Sequence, residues 1–140
     1  MSFSRDFTVQ FGHCDPAGII FFPRYFEMLN ATVEAFFAEA LNYSFTRIHI
    51  DEGCGVPTAH LDVDFRAPSR LADILTFTLN VVRIGGSSAS FETRVTCGEE
   101  LRMTVRQVIV WTGPGLRPAR WPAGLAVALG AHLTGEEAAT

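Results

Sequence analysis

Residues 23–41 read PRYFEMLNATVEAFFAEAL, and this stretch decides what the rest of the chain can be. Phe26, Leu29, Val33, Phe36, Phe37 and Ala40 recur at spacings of three and four, which draws one continuous apolar stripe along a helix. Pro23 suits its first turn, because the amide hydrogen that proline lacks would have no partner inside the helix anyway. The spacing predicts a helix from Arg24 to Leu41 with a single buried face. Such a face needs a second layer to cover it, so the flanking sequence must supply one.

On the N-terminal side, Phe3, Phe7, Val9 and Phe11 alternate with Ser2, Ser4, Asp6, Thr8 and Gln10, broken only at Arg5, and predict a strand from Ser2 to Phe11. On the other side, Asn42 to Pro57 is an irregular connection with one helical turn expected at Phe45 to Asp51. The period then becomes two. His60, Asp62, Asp64 and Arg66 alternate with Leu61, Val63 and Phe65, and Leu75, Phe77, Leu79 and Val81 alternate with Thr76, Thr78 and Asn80. Ala67 and Pro68 separate these two strands. Gly85-Gly86 and Gly98-Glu99 are turns into further strands at Ser88 to Thr96 and Leu101 to Trp111. The last strand carries Val108 and Val110 on its otherwise polar face, which predicts cover on both sides at its far end. A short helix at about Pro122 to Leu133 and a loose tail after about residue 134 complete the chain. The order is strand, long helix, then four strands in meander. It implies an α+β domain spanning the chain, with a five-stranded antiparallel sheet curling around the helix.

With 140 residues and 48% apolar content, the chain can fill one core and still present apolar surface to a partner. Self-association is therefore expected. The net charge is −4 and the basic residues are scattered, which argues against a nucleic-acid partner. Met1 to Phe11 lacks the basic-then-apolar pattern of a signal peptide, and no apolar run approaches membrane-spanning length. Cys14, Cys54 and Cys97 form neither a disulfide framework nor a Cys-x-x-Cys pair, and His49, His60 and His132 show no metal spacing. A cytoplasmic protein without metal is the expectation.

The candidate chemistry sits just before the helix. Asp15-Pro16-Ala17-Gly18 places a carboxylate in a tight turn, and Ile19, Ile20, Phe21 and Phe22 form an apolar wall after it. An Asp before Pro is a common turn former, but a carboxylate in apolar surroundings can also serve as nucleophile or as base on water. The helix N-terminus offers free amide hydrogens and a partial positive charge near Phe22, enough for an oxyanion hole. A Cys14-His13 hydrolase pair is disfavoured, because neighbours on an extended segment point to opposite sides; His13 is read as pocket wall or surface. Asn30, one turn beyond Phe26, is either a buried polar group awaiting a partner or simply exposed. Gly85-Gly86-Ser87-Ser88 is first of all a hairpin turn, though it could also greet a phosphate.

The run from Phe11 to Phe26, FGHCDPAGIIFFPRYF, closely resembles the active-site signature of the 4-hydroxybenzoyl-CoA thioesterase family, and Val63-Asp64-Phe65-Arg66-Ala67-Pro68 followed by Asp73 extends the resemblance over Phe3 to Trp111. The resemblance implies the hotdog fold, a long central helix wrapped by the five-stranded sheet. It also implies hydrolysis of an acyl-CoA or carrier-protein thioester, with no cofactor beyond the coenzyme A of the substrate. By position, Asp15 corresponds to the catalytic carboxylate and the Phe22 amide to the carbonyl-polarising donor. Homodimers or tetramers with the acyl pocket at a subunit interface are implied as well, so Tyr25 and Asn30 of one chain would meet His60 of another. The chain departs from some members at the turn that receives the CoA nucleotide. Arg83, Ser87 and Ser88 are the nearest polar groups there. Two rivals remain: a non-catalytic acyl-CoA-binding protein, and a hydratase or dehydratase acting through His60.

Overall fold

The computed structural model describes residues 2–134, and the predicted loose tail lies outside them. Five strands, β1 (Phe3–Thr8), β2 (Thr58–Phe65), β3 (Ile74–Ile84), β4 (Ser88–Cys97) and β5 (Glu100–Val110), form one antiparallel sheet in the order β1-β3-β4-β5-β2. Helix α1 (Pro23–Ala35) runs on through a wider i→i+5 turn, Phe36–Ala40, giving eighteen helical residues in all. A second wide turn spans Thr46–Asp51, and α2 covers Ala123–Ala131.

The apolar stripe finds its layer. Tyr25, Met28 and Leu29 pack with Leu75, Phe77, Val95, Met103 and Val105, and Phe36 and Phe37 pack with Leu79, Val81, Phe91 and Ile109. Each strand contributes alternate residues to this face, as a two-residue period requires. The widened turn buries two consecutive aromatic side chains, Phe36 and Phe37, and closes with Leu41 N–H donating to the Phe36 carbonyl.

Three expectations change. First, the strand order is not a four-strand meander: β3, β4 and β5 meander, while β2 lies at the far edge beside β5. From β2 to β3 the chain must cross three strand spacings, about 14 Å in all, which a two-residue turn at Ala67-Pro68 cannot do. Residues 66–73 make the crossing instead, with Arg66 and Ala67 N–H donating to the Arg102 carbonyl and Ala72 in a left-handed conformation. Second, β1 stops at Thr8; Gln10 N–H donates to His13 Nδ1 and the chain makes a single tight turn over Phe11–His13, which leaves Phe11 84% exposed. Third, Val108 and Val110 on the outer face of β5 are only half-buried.

Candidate active site

The turn before α1 is built from short-range bonds. Asp15 N–H donates to the Ile19 carbonyl, Gly18 N–H to the Asp15 carbonyl, and Ala17 N–H to Asp15 Oδ1 at 2.9 Å. Gly18 adopts φ +82°, which suits glycine because it has no Cβ to clash. One carboxylate oxygen therefore shapes the turn. The other, Oδ2, has no hydrogen-bond partner among the described residues. Asp15 is half-buried and lines a hollow of about 520 Å³ with Phe11, Cys14, Pro16, Gly18 and Leu71.

Around the tip of α1 the amides are assigned one by one. Ile20 N–H donates to the Ser69 carbonyl, Phe21 N–H to His13, Arg24 N–H to Phe21 and Tyr25 N–H to Phe22, while Pro23 has no hydrogen to give. Phe22 N–H is left without an acceptor among the described residues. It sits at the positive end of the helix, beside a groove of about 310 Å³ bounded by Ile19, Tyr25, Phe65 and Pro68. The Phe22 ring stacks edge-on against Phe65 at 6.2 Å.

The remaining candidates are dispersed. Tyr25 is buried and gives its hydroxyl hydrogen to Ser69 Oγ at 2.9 Å; burial pushes its phenol above the ordinary value, so it stays neutral. Its ring faces the groove and its hydroxyl is committed. His13 is occupied as an acceptor in its own turn. Asn30 is exposed and lines a separate groove of about 590 Å³ between α1 and β2, together with Phe26, Leu61, Thr58 and Gln107. His60 lies exposed on the opposite side of β2 from Leu61. It shares a polar hollow with Arg83, Glu92 and Arg106. Ser87 and Ser88 are elsewhere, so Arg83 does not join them; the basic residue the fold brings to that turn is Arg120, from beyond β5. Trp121 Nε1 donates to the Ser88 carbonyl and Trp111 N–H to that of Ser87, so this turn is tied to the segment after β5.

Two polar features escaped the sequence reading. Gln107, 3% exposed, gives its Nε2 hydrogen to Thr58 Oγ1 at 2.8 Å and leaves Oε1 buried without a partner, at a cost of about 1–3 kcal/mol. A lone Gln among Val105 and Ile109 on an inward face was its only sequence signal. The second is Arg102, whose Nη1 donates to Asp73 Oδ2 at 2.8 Å, the Pro68 carbonyl at 3.0 Å and Ser69 Oγ at 3.1 Å. The Arg102 guanidinium holds the Asp73 carboxyl below its ordinary value. Among the described residues no three His, Cys, Asp or Glu side chains come together as a metal site, and no helix is long and apolar enough to cross a membrane.

A five-stranded antiparallel sheet with a long helix against it matches the fold of hotdog thioesterases. The chain belongs to the thioesterase-like superfamily, whose family model matches residues 9–129. No curated protein matches the sequence. Among solved structures, a 1,4-dihydroxy-2-naphthoyl-CoA thioesterase from Synechocystis is 20% identical with a TM-score of 0.83, over 92% of this chain and 96% of the other. A gentisyl-coenzyme A thioesterase is 24% identical at 0.82, over 90% and 98%. A protein from Staphylococcus aureus solved with CoA is 14% identical at 0.87, over 96% and 87%. These likenesses establish the fold.

Proposed function

We propose that the chain is an acyl-CoA thioesterase of the 4-hydroxybenzoyl-CoA thioesterase type, cleaving an aromatic or short acyl group from coenzyme A without metal or cofactor. The observation that carries this reading is the pair of unsatisfied groups on one short segment: Asp15 Oδ2, an acceptor, and Phe22 N–H, a donor at a helix tip. A thioester carbonyl whose oxygen accepts from Phe22 N–H becomes more electrophilic at carbon. Asp15 then either attacks that carbon, expelling the thiolate and forming an anhydride that water opens, or takes a proton from the water that attacks. In both routes water and thioester yield free acid and thiol.

Within one chain the Asp15 hollow and the Phe22 groove are separate, and a second copy is the economical way to close them into one pocket. We therefore assign a homodimer, paired or not into a tetramer, with Asn30 of one chain and His60 of another at the acyl end. Arg120 and the Ser87-Ser88 turn offer charge and hydroxyls to the CoA nucleotide. The unit is one cytoplasmic domain with no nucleic-acid or membrane partner.

Asp15→Asn tests the reading through thiol release on a panel of aryl, short and long acyl-CoAs. The variant is expected to keep fold and assembly and to lose about 10²–10⁴-fold in kcat. Equal turnover by parent and variant overturns the role of Asp15, and a parent that binds acyl-CoA without releasing thiol makes the chain a binding protein.

A further inference from the structure

Arg102 is unlike the other arginines of the sheet. Its side chain is 11% exposed, against 77% for Arg106 four residues on, and apart from Nε, which donates to Glu100 Oε1, its carbonyl and Nη1 reach one piece of chain, residues 66–73. Its carbonyl accepts Arg66 and Ala67 N–H, and Nη1 donates to Pro68 O, Ser69 Oγ and Asp73 Oδ2. Ser69, fully buried, passes the connection on: its carbonyl accepts Ile20 N–H at 2.8 Å and its hydroxyl meets the Tyr25 hydroxyl at 2.9 Å. Ile20 and Tyr25 flank the Phe22 amide at the helix tip, which has no acceptor among the described residues. We propose that Arg102, acting through Ser69, is a positioning residue that fixes the aim of the Phe22 amide at the thioester carbonyl; the inference rests on the thioesterase reading above.

A purely structural brace would not need this chemistry. A partly buried ion pair gives little net stability and can be replaced by apolar groups of similar volume. What arginine offers is a rigid planar end: with Nε held by Glu100, the two hydrogens of Nη1 are shared among the acceptors on Pro68, Ser69 and Asp73, which are thereby held in a fixed relation. Fixed relation is what a donor to a developing oxyanion requires, because a displacement of about 1 Å can cost about 100-fold in rate.

Ser69→Ala is the decisive variant, since it removes the shared hydroxyl and leaves the Arg102–Asp73 pair intact. Its kcat should fall about tenfold with KM within about twofold, because ground-state binding does not need the aimed amide. Arg102→Met should lose at least as much and Arg102→Lys should recover only part, while Tyr43→Phe, which loses the 2.5 Å bond to Glu52 elsewhere, should lower the melting temperature and leave kcat alone. The amide resonance of Phe22 supplies a readout independent of turnover. It should move in Ser69→Ala and Arg102→Met, and stay in Tyr43→Phe. An unmoved resonance together with parent kcat in Ser69→Ala overturns the proposal. If the parent hydrolyses no thioester, the thioesterase reading fails, and the resonance alone decides the positioning: a shift sustains it and no shift ends it.

Discussion

Asp73 ties acid stability to the same network that braces the helix tip. Its carboxylate is held below its ordinary value chiefly by the hydrogen bond from Arg102, with Arg70 N–H adding to it. A depressed carboxylate contributes stability that is fully present above the unfolded value and is lost as pH falls through the folded one. Asp73→Asn should therefore melt below the parent at neutral pH, and the gap should keep its size down to about pH 5 and close only as the pH falls below the ordinary carboxylate value, in a series from about pH 7 to about pH 2. Melting curves across that range check it; a gap that stays constant with pH would mean the pair contributes through shape and not through charge. Asp15 presents the opposite case. Its turn was legible because Pro16 and Gly18 are strong local signals, yet those signals describe the bond to Oδ1 and say nothing of the free Oδ2. The role proposed for the residue rests on the atom that local sequence does not constrain.

Helix α1 and the strands that cover it could be read from periodicity because the cause is local: a buried stripe at spacing three and four, faced by alternation at spacing two. Phe37 is the sharpest case, fully buried and packed edge-on against Phe36 at 5.9 Å. Phe37→Ala should cost about 3–5 kcal/mol, read as a lower urea midpoint, whereas Ala38→Ser, exposed one residue on, should barely move it. A Phe37→Ala midpoint equal to that of the parent would show that the wide turn collapses onto the space without penalty. What periodicity did not convey is the place of β2, since alternation says which face is inward and is silent about the neighbour. Nor could it convey Arg102, whose partners Pro68 and Asp73 lie 34 and 29 residues away. Short motifs exposed the turn at Asp15, and only the crossing of residues 66–73 brought its brace into view.

The two edges of the sheet are finished differently, and the difference bears on assembly. At β1, Arg5 pairs with Glu39 and the Phe3 ring meets Phe36 at 5.6 Å, so that edge is tied to the end of the helix. At β2, seven of eight residues are exposed, and the inward-pointing Leu61 and Phe65 remain 40% and 53% accessible beside Phe22 at 58%. The groove between α1 and β2 stays open on the same side. An uncovered edge strand with apolar side chains is a template for another strand, and a twofold axis there would close both copies at once and satisfy both rows of backbone groups. The parent should therefore sediment as a dimer or a dimer of dimers. Leu61→Glu combined with Phe65→Glu should give a monomer that keeps its far-ultraviolet spectrum and loses turnover, since each copy would be left with half a pocket. Sedimentation run at the concentration of the thiol-release assay makes the comparison direct. A monomeric parent with full turnover would mean that the separate hollows at Asp15 and Phe22 already make a working site within one chain, and the edge would need another explanation.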